Sequence, residues 1–391
     1  MKILVLGAGM QGRACSYDLL KNPALDELIL VDANEKALAA TKKYLASKKV
    51  TAVRADLTDA ARVKKLATGC DVVVSCVPYF LNLALCKAAL AAKAHWIDLG
   101  GNTDIVMKEL ALSKQAEKAG VTILPDVGLG PGMITTFAVH AMSMLDTVDE
   151  VFIRDGGLPQ RPVPPMNYML TFSEHGLINE YVEDATALRD FKVVKVAGLS
   201  EVETIDIPGL GRMEAAHASG GLSTLAFTYE GKVRTMYNKL IRYPGHCAVI
   251  NAMTAMGFFS NKKISVAGTQ LAPRELSAKL FREHFSRPGD EDFVVIHSTI
   301  KGTKDGRKAS VTVHMLAKYD KATKMTAMMQ TTGFPASIVA QMLASGEISK
   351  RGAFTVETGI PPEPFIRHMK ERGYDVSFTL TYDEARQPVA A

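Results

Sequence analysis

The sequence predicts an α/β protein in which a doubly wound parallel sheet is followed by a second, α+β domain with a largely antiparallel sheet. Three observations lead there. A glycine-rich turn, GAGMQG, directly follows the first apolar run. Short, uniformly apolar runs then alternate with longer amphipathic ones to about residue 145, as expected of strands covered by helices on both faces. Beyond Val151 the apolar runs alternate residue by residue instead, the pattern of a sheet with one buried face. A chain of 391 residues also exceeds one ordinary core, so two domains are expected.

Taken in order, the strands of the first domain are KILVLG (2–7), ELILVD (27–32), VTAVRAD (50–56), DVVVSCV (71–77), HWIDLG (95–100) and VTILPD (121–126). Helical stretches fall near 10–21, 34–47, 58–67, 80–93, 103–119 and 131–145. Gly7, Gly9 and Gly12 have GxGxxG spacing after a strand and at the opening of a helix. The first permits a tight turn, the second lets the backbone approach a pyrophosphate, and the third lets helix and strand pack closely. Met10 and Gln11 lie within the same turn. Asp32 closes the second strand twenty residues later, where a carboxylate accepts the ribose hydroxyls of NAD and repels the extra phosphate of NADP. The expected unit is therefore a Rossmann-type domain over residues 1–130 with NAD as its cofactor. Lys36, in the next helix, either reaches a phosphate or is a solvated first-turn residue.

Ligands bind outside the carboxyl ends of such strands. Asp56 is placed near the adenine or as a helix cap, a role open also to Thr58 and Asp59. Val77, Pro78 and Tyr79 end the fourth strand beside the nicotinamide, with Pro78 at the start of the next helix. DLGGN (98–102) and DVGLGPG (126–132) end the fifth and sixth strands. Asp126 there either orients reacting groups or caps the following helix.

The second domain is expected over 131–335, for substrate binding and dimerisation. Its strands are EVFIRDGGLP, DFKVVKV, EVETIDI, TLAFTYEG (224–231), KVRTMYNKLIRY, DFVVIHSTIKG, KASVTVHMLAKY and KMTAMMQTT (324–332), with an Asp305-Gly306 hairpin turn. Helices are expected near 246–259 and 274–286. Residues 336–391 carry two further helical stretches and are expected to pack back on the first domain.

Composition narrows the class. The chain is 47% hydrophobic and 22% charged with a formal charge of +5, without a basic stripe for nucleic acid. Five cysteines lack zinc-type spacing, so no metal site is expected, and reduced thiols point to the cytoplasm. MKILVLGAG leaves no room for a signal peptide, and no apolar run reaches membrane length.

The tracts GAGMQG, VPYF, DLGG, DVGLGPGM, DGGLPQRPVPPMNYMLTFSEHGLINEY and LIRYPGH together resemble the saccharopine dehydrogenase family, along the whole chain. Within it the likeness is to the lysine 6-dehydrogenase branch. GGLP followed by the Tyr/Phe-Ser tract is the more specific part. Saccharopine reductases typically carry a cysteine before GGLP and an arginine in the stretch that follows; here Asp155 and His175 stand instead. The resemblance implies NAD-dependent oxidative deamination of the ε-amine of L-lysine to allysine, in a homo-oligomer. It places His246 of YPGH as a base, although a first-turn histidine bonded to backbone is the plainer alternative. Asp126 and Asp155 complete the expected catalytic set. Arg242, or alternatively Arg234, would hold the α-carboxylate; Glu174 and His175 would meet the substrate or cap a helix; Tyr168 and Tyr243 would donate or merely pack. A saccharopine dehydrogenase or other opine-type reductase, and a non-catalytic NAD-binding sensor, are the competing expectations.

Overall fold

The computed structural model describes residues 1–286 and 289–383. The first unit runs β1 (Lys2–Leu6), α1 (Met10–Leu19), β2 (Glu27–Asp32), α2 (Glu35–Leu45), β3 (Val50–Arg54), α3 (Ala60–Ala67) and β4 (Val72–Ser75). It continues with α4 (Asn82–Ala91), β5 (His95–Asp98), α5 (Thr103–Leu110), α6 (Ser113–Ala119), β6 (Thr122–Leu124) and α7 (Met133–Ser143). A single 3-10 turn, Tyr79–Leu81, separates Pro78 from α4, so Pro78 precedes that turn and does not open the helix. The strands are buried almost completely, as their uniform apolarity requires.

The second unit opens with β7 (Thr147–Pro159), α8 (Glu174–Val182), β8 (Ala185–Arg189), β9 (Lys192–Val196), β10 (Glu203–Ile207) and β11 (Gly211–His217). Next come α9 (Leu225–Thr228), β12 (Thr235–Arg242), α10 (His246–Ala255), β13 (Ile264–Val266), β14 (Thr269–Leu271) and α11 (Pro273–Phe285). The hairpin of β15 (Asp292–Lys304) and β16 (Arg307–Lys318) leads to α12 (Ala327–Ser345). The tail adds β17 (Gly352–Ala353), α13 (Val356–Gly359), α14 (Pro362–Glu371) and β18 (Val376–Tyr382).

Two sheets organise these elements. The first has the order β17-β6-β5-β4-β1-β2-β3 and is parallel throughout, with its strand order reversing between β1 and β4. A dinucleotide cleft belongs at that reversal. The second follows β10-β11-β12-β7-β15-β16-β18, with β8 and β9 attached to β12. It is antiparallel except where β12 lies parallel to β7. That parallel pair is the centre of the sheet and carries the residues that matter below.

Three expectations are corrected. Residues 224–231 hold the helix α9, not a strand: Thr224 and Thr228 must lie one turn apart for both hydroxyls to reach Glu357. Residues 324–332 open α12, whose first N–H groups are taken by the Thr326 hydroxyl and by the Asp292 carboxylate, 2.6 Å from Ala327 N and 2.9 Å from Met328 N. The tail does not pack on the first domain alone. α12 and β17 join the first unit, but β18 pairs with β16 in the second sheet. The exposed hairpin β13–β14 and the strands β8 and β11 were not expected at all; their short, polar-rich runs carry little periodicity.

Candidate active site

The glycine turn forms because Gly7 takes φ +100° and passes its neighbours closely. A Cβ on Gly12 would stand 1.8 Å from the Gly7 carbonyl oxygen, so only glycine lets α1 come down on β1. Gly9 faces open space, leaving its backbone free for a phosphate. Met10 is exposed, while the Gln11 Oε1 is buried and without a hydrogen-bond partner. Asp32 accepts from Ala8 N at 2.7 Å with one oxygen and from Asn34 N at 2.7 Å with the other, which ties the end of β2 to the turn. Val77 packs on Gly7, and the Tyr79 ring lies against Gly101. These groups fit a dinucleotide: an open glycine backbone, a helix N-terminus and a carboxylate at the end of β2. Asp56 is exposed and holds Thr58 at 2.9 Å through its backbone N–H, whereas Asp59 caps α3. Its role there is to shape the β3–α3 turn.

Beyond the sheet's carboxyl edge lies a connected set of buried polar side chains. Asp126 sits at φ +67°, its N–H bonded to Asp98, and its carboxylate accepts from the Ser223 hydroxyl of the second unit. Burial, with Asp98 beside it, pushes Asp126 up to about 8 despite the Ser223 hydrogen bond. Asp155, on β7, accepts from Asn238 Nδ2 of β12 at 2.8 Å. A Cβ on Gly130 would come within 3.5 Å of Asp155 Oδ2, so this carboxylate abuts the loop that follows β6. Burial pushes Asp155 up to about 6, with Asn238 and Arg242 opposing. Gly221, two residues from Ser223, packs on the Asn238 side chain and closes the connection between the two carboxylates.

Arg242 ends β12, only 2% exposed beneath the Tyr168 ring at 5.0 Å. Its Nε donates to the Tyr181 hydroxyl at 3.2 Å and Nη1 to the Ile241 carbonyl at 2.9 Å, while Nη2 stands 3.8 Å from Glu180 Oε2. His246 is buried at the start of α10, with Nδ1 2.8 Å from the Met166 carbonyl and Nε2 2.9 Å from the Tyr181 hydroxyl. A carbonyl can only accept, so Nδ1 carries the proton and Nε2 accepts from Tyr181. A single directed chain results: Arg242 donates to Tyr181, Tyr181 to His246, and His246 to Met166. Burial and the Arg242 charge hold His246 down to about 3. Both ring nitrogens of His246 are thus engaged, one by backbone, as in the plainer alternative, and the other by Tyr181.

The chain matches the saccharopine dehydrogenase NADP binding domain over residues 3–124 and the saccharopine dehydrogenase C-terminal domain over residues 128–374. It belongs to the saccharopine dehydrogenase family. It is 23% identical to the carboxynorspermidine synthase of Vibrio cholerae, covering 95% of each chain. It is also 23% identical to the mitochondrial alpha-aminoadipic semialdehyde synthase of Mus musculus, but spans only 47% of that protein. Among solved structures, the apo saccharopine dehydrogenase (L-Glu forming) of Saccharomyces cerevisiae superposes with a TM-score of 0.78 at 18% identity, covering 97% of this chain and 99% of that one. The homospermidine synthase of Legionella pneumophila, solved with NAD, gives 0.67 at 11% identity over 100% and 94%. These likenesses establish the two-sheet fold. Family membership makes the chain an amino-acid oxidoreductase with a nicotinamide dinucleotide cofactor.

Against that family background, the remaining expected residues divide. Asp126 and Asp155 lie where the two units meet, through Ser223 and the Gly130 loop, while Arg242 and Tyr168 stack on each other within the second unit. Glu174 and His175 do neither: Glu174 pairs with Arg282, and Arg274 donates to the His175 carbonyl, so both fasten the start of α8 to α11. Tyr243 donates to Pro159 O at 2.9 Å and fixes the end of β7. Arg234 is spent on Asp149 and Glu150 at the surface. Glu180, Tyr181, Asn238 and Ser223 were missed. For Glu180 a signal existed, since an acid three residues after Leu177 falls on the apolar face of α8. Among the described residues there is no metal-binding cluster, and no helix is long and apolar enough to cross a membrane.

Proposed function

We propose that this family member oxidises the ε-amine of L-lysine with NAD, giving allysine, ammonium, NADH and a proton from lysine, NAD and water. The reading rests on the placement of Arg242 and Asp155. The β7–β12 register pairs Asp155 with Leu240, so Arg242 lies two residues farther along on the neighbouring strand, about 8 Å from Asp155 between backbone positions. A buried cation for a carboxylate and a buried acid for an amine thus stand a side chain's length apart, with the acid nearer the dinucleotide.

The chain's own groups would act as follows. Arg242 binds the α-carboxylate through its free Nη2 edge, and Tyr181 keeps the guanidinium turned that way. Asp155 accepts a proton from the ε-ammonium at Oδ2, the oxygen not bonded to Asn238; near neutral pH it is mostly ionised yet basic enough for the task. Asp126 and Ser223 close the space from water at the end of β6. A bound nicotinamide supplies the two-electron oxidation of the carbon that bears the amine. Water then adds to the resulting C=N carbon and the C–N bond breaks, releasing ammonia.

NAD is favoured over NADP because a carboxylate, Asp32, closes β2, and two of the nearby cations are engaged. Arg54 pairs with Glu35 at 3.3 Å, and Arg13 donates to Thr41 at 3.1 Å. A second reading, reversible oxidation of a secondary amine such as saccharopine, is favoured by the full-length likeness to carboxynorspermidine synthase and the yeast enzyme's fold. One assay separates them: NADH or NADPH formation from purified protein with L-lysine or saccharopine. Turnover of lysine with NAD supports the proposal, and turnover of saccharopine alone replaces it with the second reading.

A further inference from the structure

The pair of Glu180 and Arg242 has no role in the chemistry described so far beyond a single carboxylate contact. Glu180 stands on α8 and Arg242 at the end of β12, brought together by the Tyr181 hydroxyl between helix and strand. Their closest atoms are 3.8 Å apart, too far for a hydrogen bond. Glu180 Oε2 is enclosed and has no hydrogen-bond partner. A buried carboxylate oxygen left without a donor carries a cost that native structures normally remove with a ligand or water. The rest of the Glu180 side chain keeps 28% of its surface exposed.

We propose that Glu180 and Arg242 together read the head group of a free α-amino acid, Arg242 donating to the α-carboxylate and Glu180 accepting from the α-ammonium. The inference rests on the lysine-oxidising reading and names what selects the substrate. Carboxylate and ammonium hang from one carbon, so a reader for them needs an anion and a cation side by side and not fully bonded to each other. Arg242 and Glu180 meet that description. Asp155, with its partner Asn238, is left for the far end of the substrate. Glu180 is then a specificity-determining residue: a substrate lacking the α-ammonium would leave its carboxylate buried and unpaired, and discrimination of this kind is large.

The test uses three substrates on the full chain: L-lysine, 6-aminohexanoate, which lacks the α-amine, and pentane-1,5-diamine, which lacks the α-carboxylate. Wild-type kcat/KM should favour L-lysine over 6-aminohexanoate by on the order of tenfold or more. Glu180→Gln should bring that ratio to near one, chiefly through KM for lysine, while the preference over the diamine, which depends on Arg242, persists. Glu180→Asp should recover part of the ratio. NADH fluorescence confirms that each variant still binds the dinucleotide. Equal use of lysine and 6-aminohexanoate by the wild type overturns the inference, as does an unchanged ratio in a Glu180→Gln protein that binds NADH. Calorimetric titration of the same ligands into the NADH complex separates this failure from that of the proposed function. Selective lysine binding that Glu180→Gln erases, without turnover, keeps the head-group reader and removes the oxidation reading. No selective binding removes the reader whatever the turnover.

Discussion

At the scale of single residues, the proposed mechanism separates a group that moves a proton from groups that hold it in place. Asp155 has one oxygen bonded to Asn238 and the other against the Gly130 loop. Asp155→Asn should lower kcat on lysine by about 10²-fold or more, with a smaller change in KM, and abolish the limb of the kcat profile that rises near pH 6. In that mechanism His246 is a positioning residue, bonded to Tyr181 and to the Met166 carbonyl. His246→Ala should raise KM for lysine several-fold, on the order of 1 kcal/mol for one lost hydrogen bond, and leave kcat and its pH profile nearly unchanged. A loss of kcat comparable to that of Asp155→Asn would return His246 to the base role. Sequence reading singled out Asp126 at the end of a strand and Arg242 in LIRYPGH, and the resemblance added Asp155 and the base role of His246. It could not find Tyr181, which takes both nitrogen contacts that matter, since those contacts join residues 61 and 65 positions away.

At the scale of elements, the dinucleotide turn was the most legible part, because everything it needs lies between Gly7 and Asp32. Gly12→Ala should abolish NADH binding, read by fluorescence titration, since the added methyl would overlap the Gly7 carbonyl and push α1 off β1. Asp32→Ser should weaken NAD binding and narrow the preference against NADP, measured as the ratio of the two KM values. The helices α9 and α12 were illegible for the opposite reason. Their ends are fixed by distant carboxylates, Glu357 for α9 and Asp292 for α12, and the local runs TLAFTYEG and KMTAMMQTT carry β-prone residues. Tertiary partners overrode the local preference in both.

At the scale of the whole molecule, buried titratable groups set opposing pH slopes on stability. Asp155 and Asp126 are raised to about 6 and about 8 by burial, so the stability they contribute is full below the ordinary carboxylate value and is lost as pH rises from there through those values. His246 and His95 are lowered by burial to about 3 and about 4; their contribution is full above the ordinary histidine value and falls as pH drops below it. Above the ordinary histidine value, about 6.5, only the carboxylate slope remains, so thermal stability should fall from there to about pH 8, and Asp126→Asn should flatten that fall. An alkaline slope unaltered in that variant would show that Asp126 is not its source.

The interleaving of the tail has a consequence for how this molecule can be divided. After the second sheet is largely built, the chain returns through α12 and β17 to the first and then crosses again to place β18 on the second. No single cut in the polypeptide therefore yields two self-sufficient pieces. A fragment ending at the close of β6 lacks the edge strand of its own sheet, and one beginning at α7 carries that strand with nothing to pair it. Two fragments split there would complement one another only by exchanging strands, which makes the β6–α7 junction a natural place to build a split reporter whose halves become active on association.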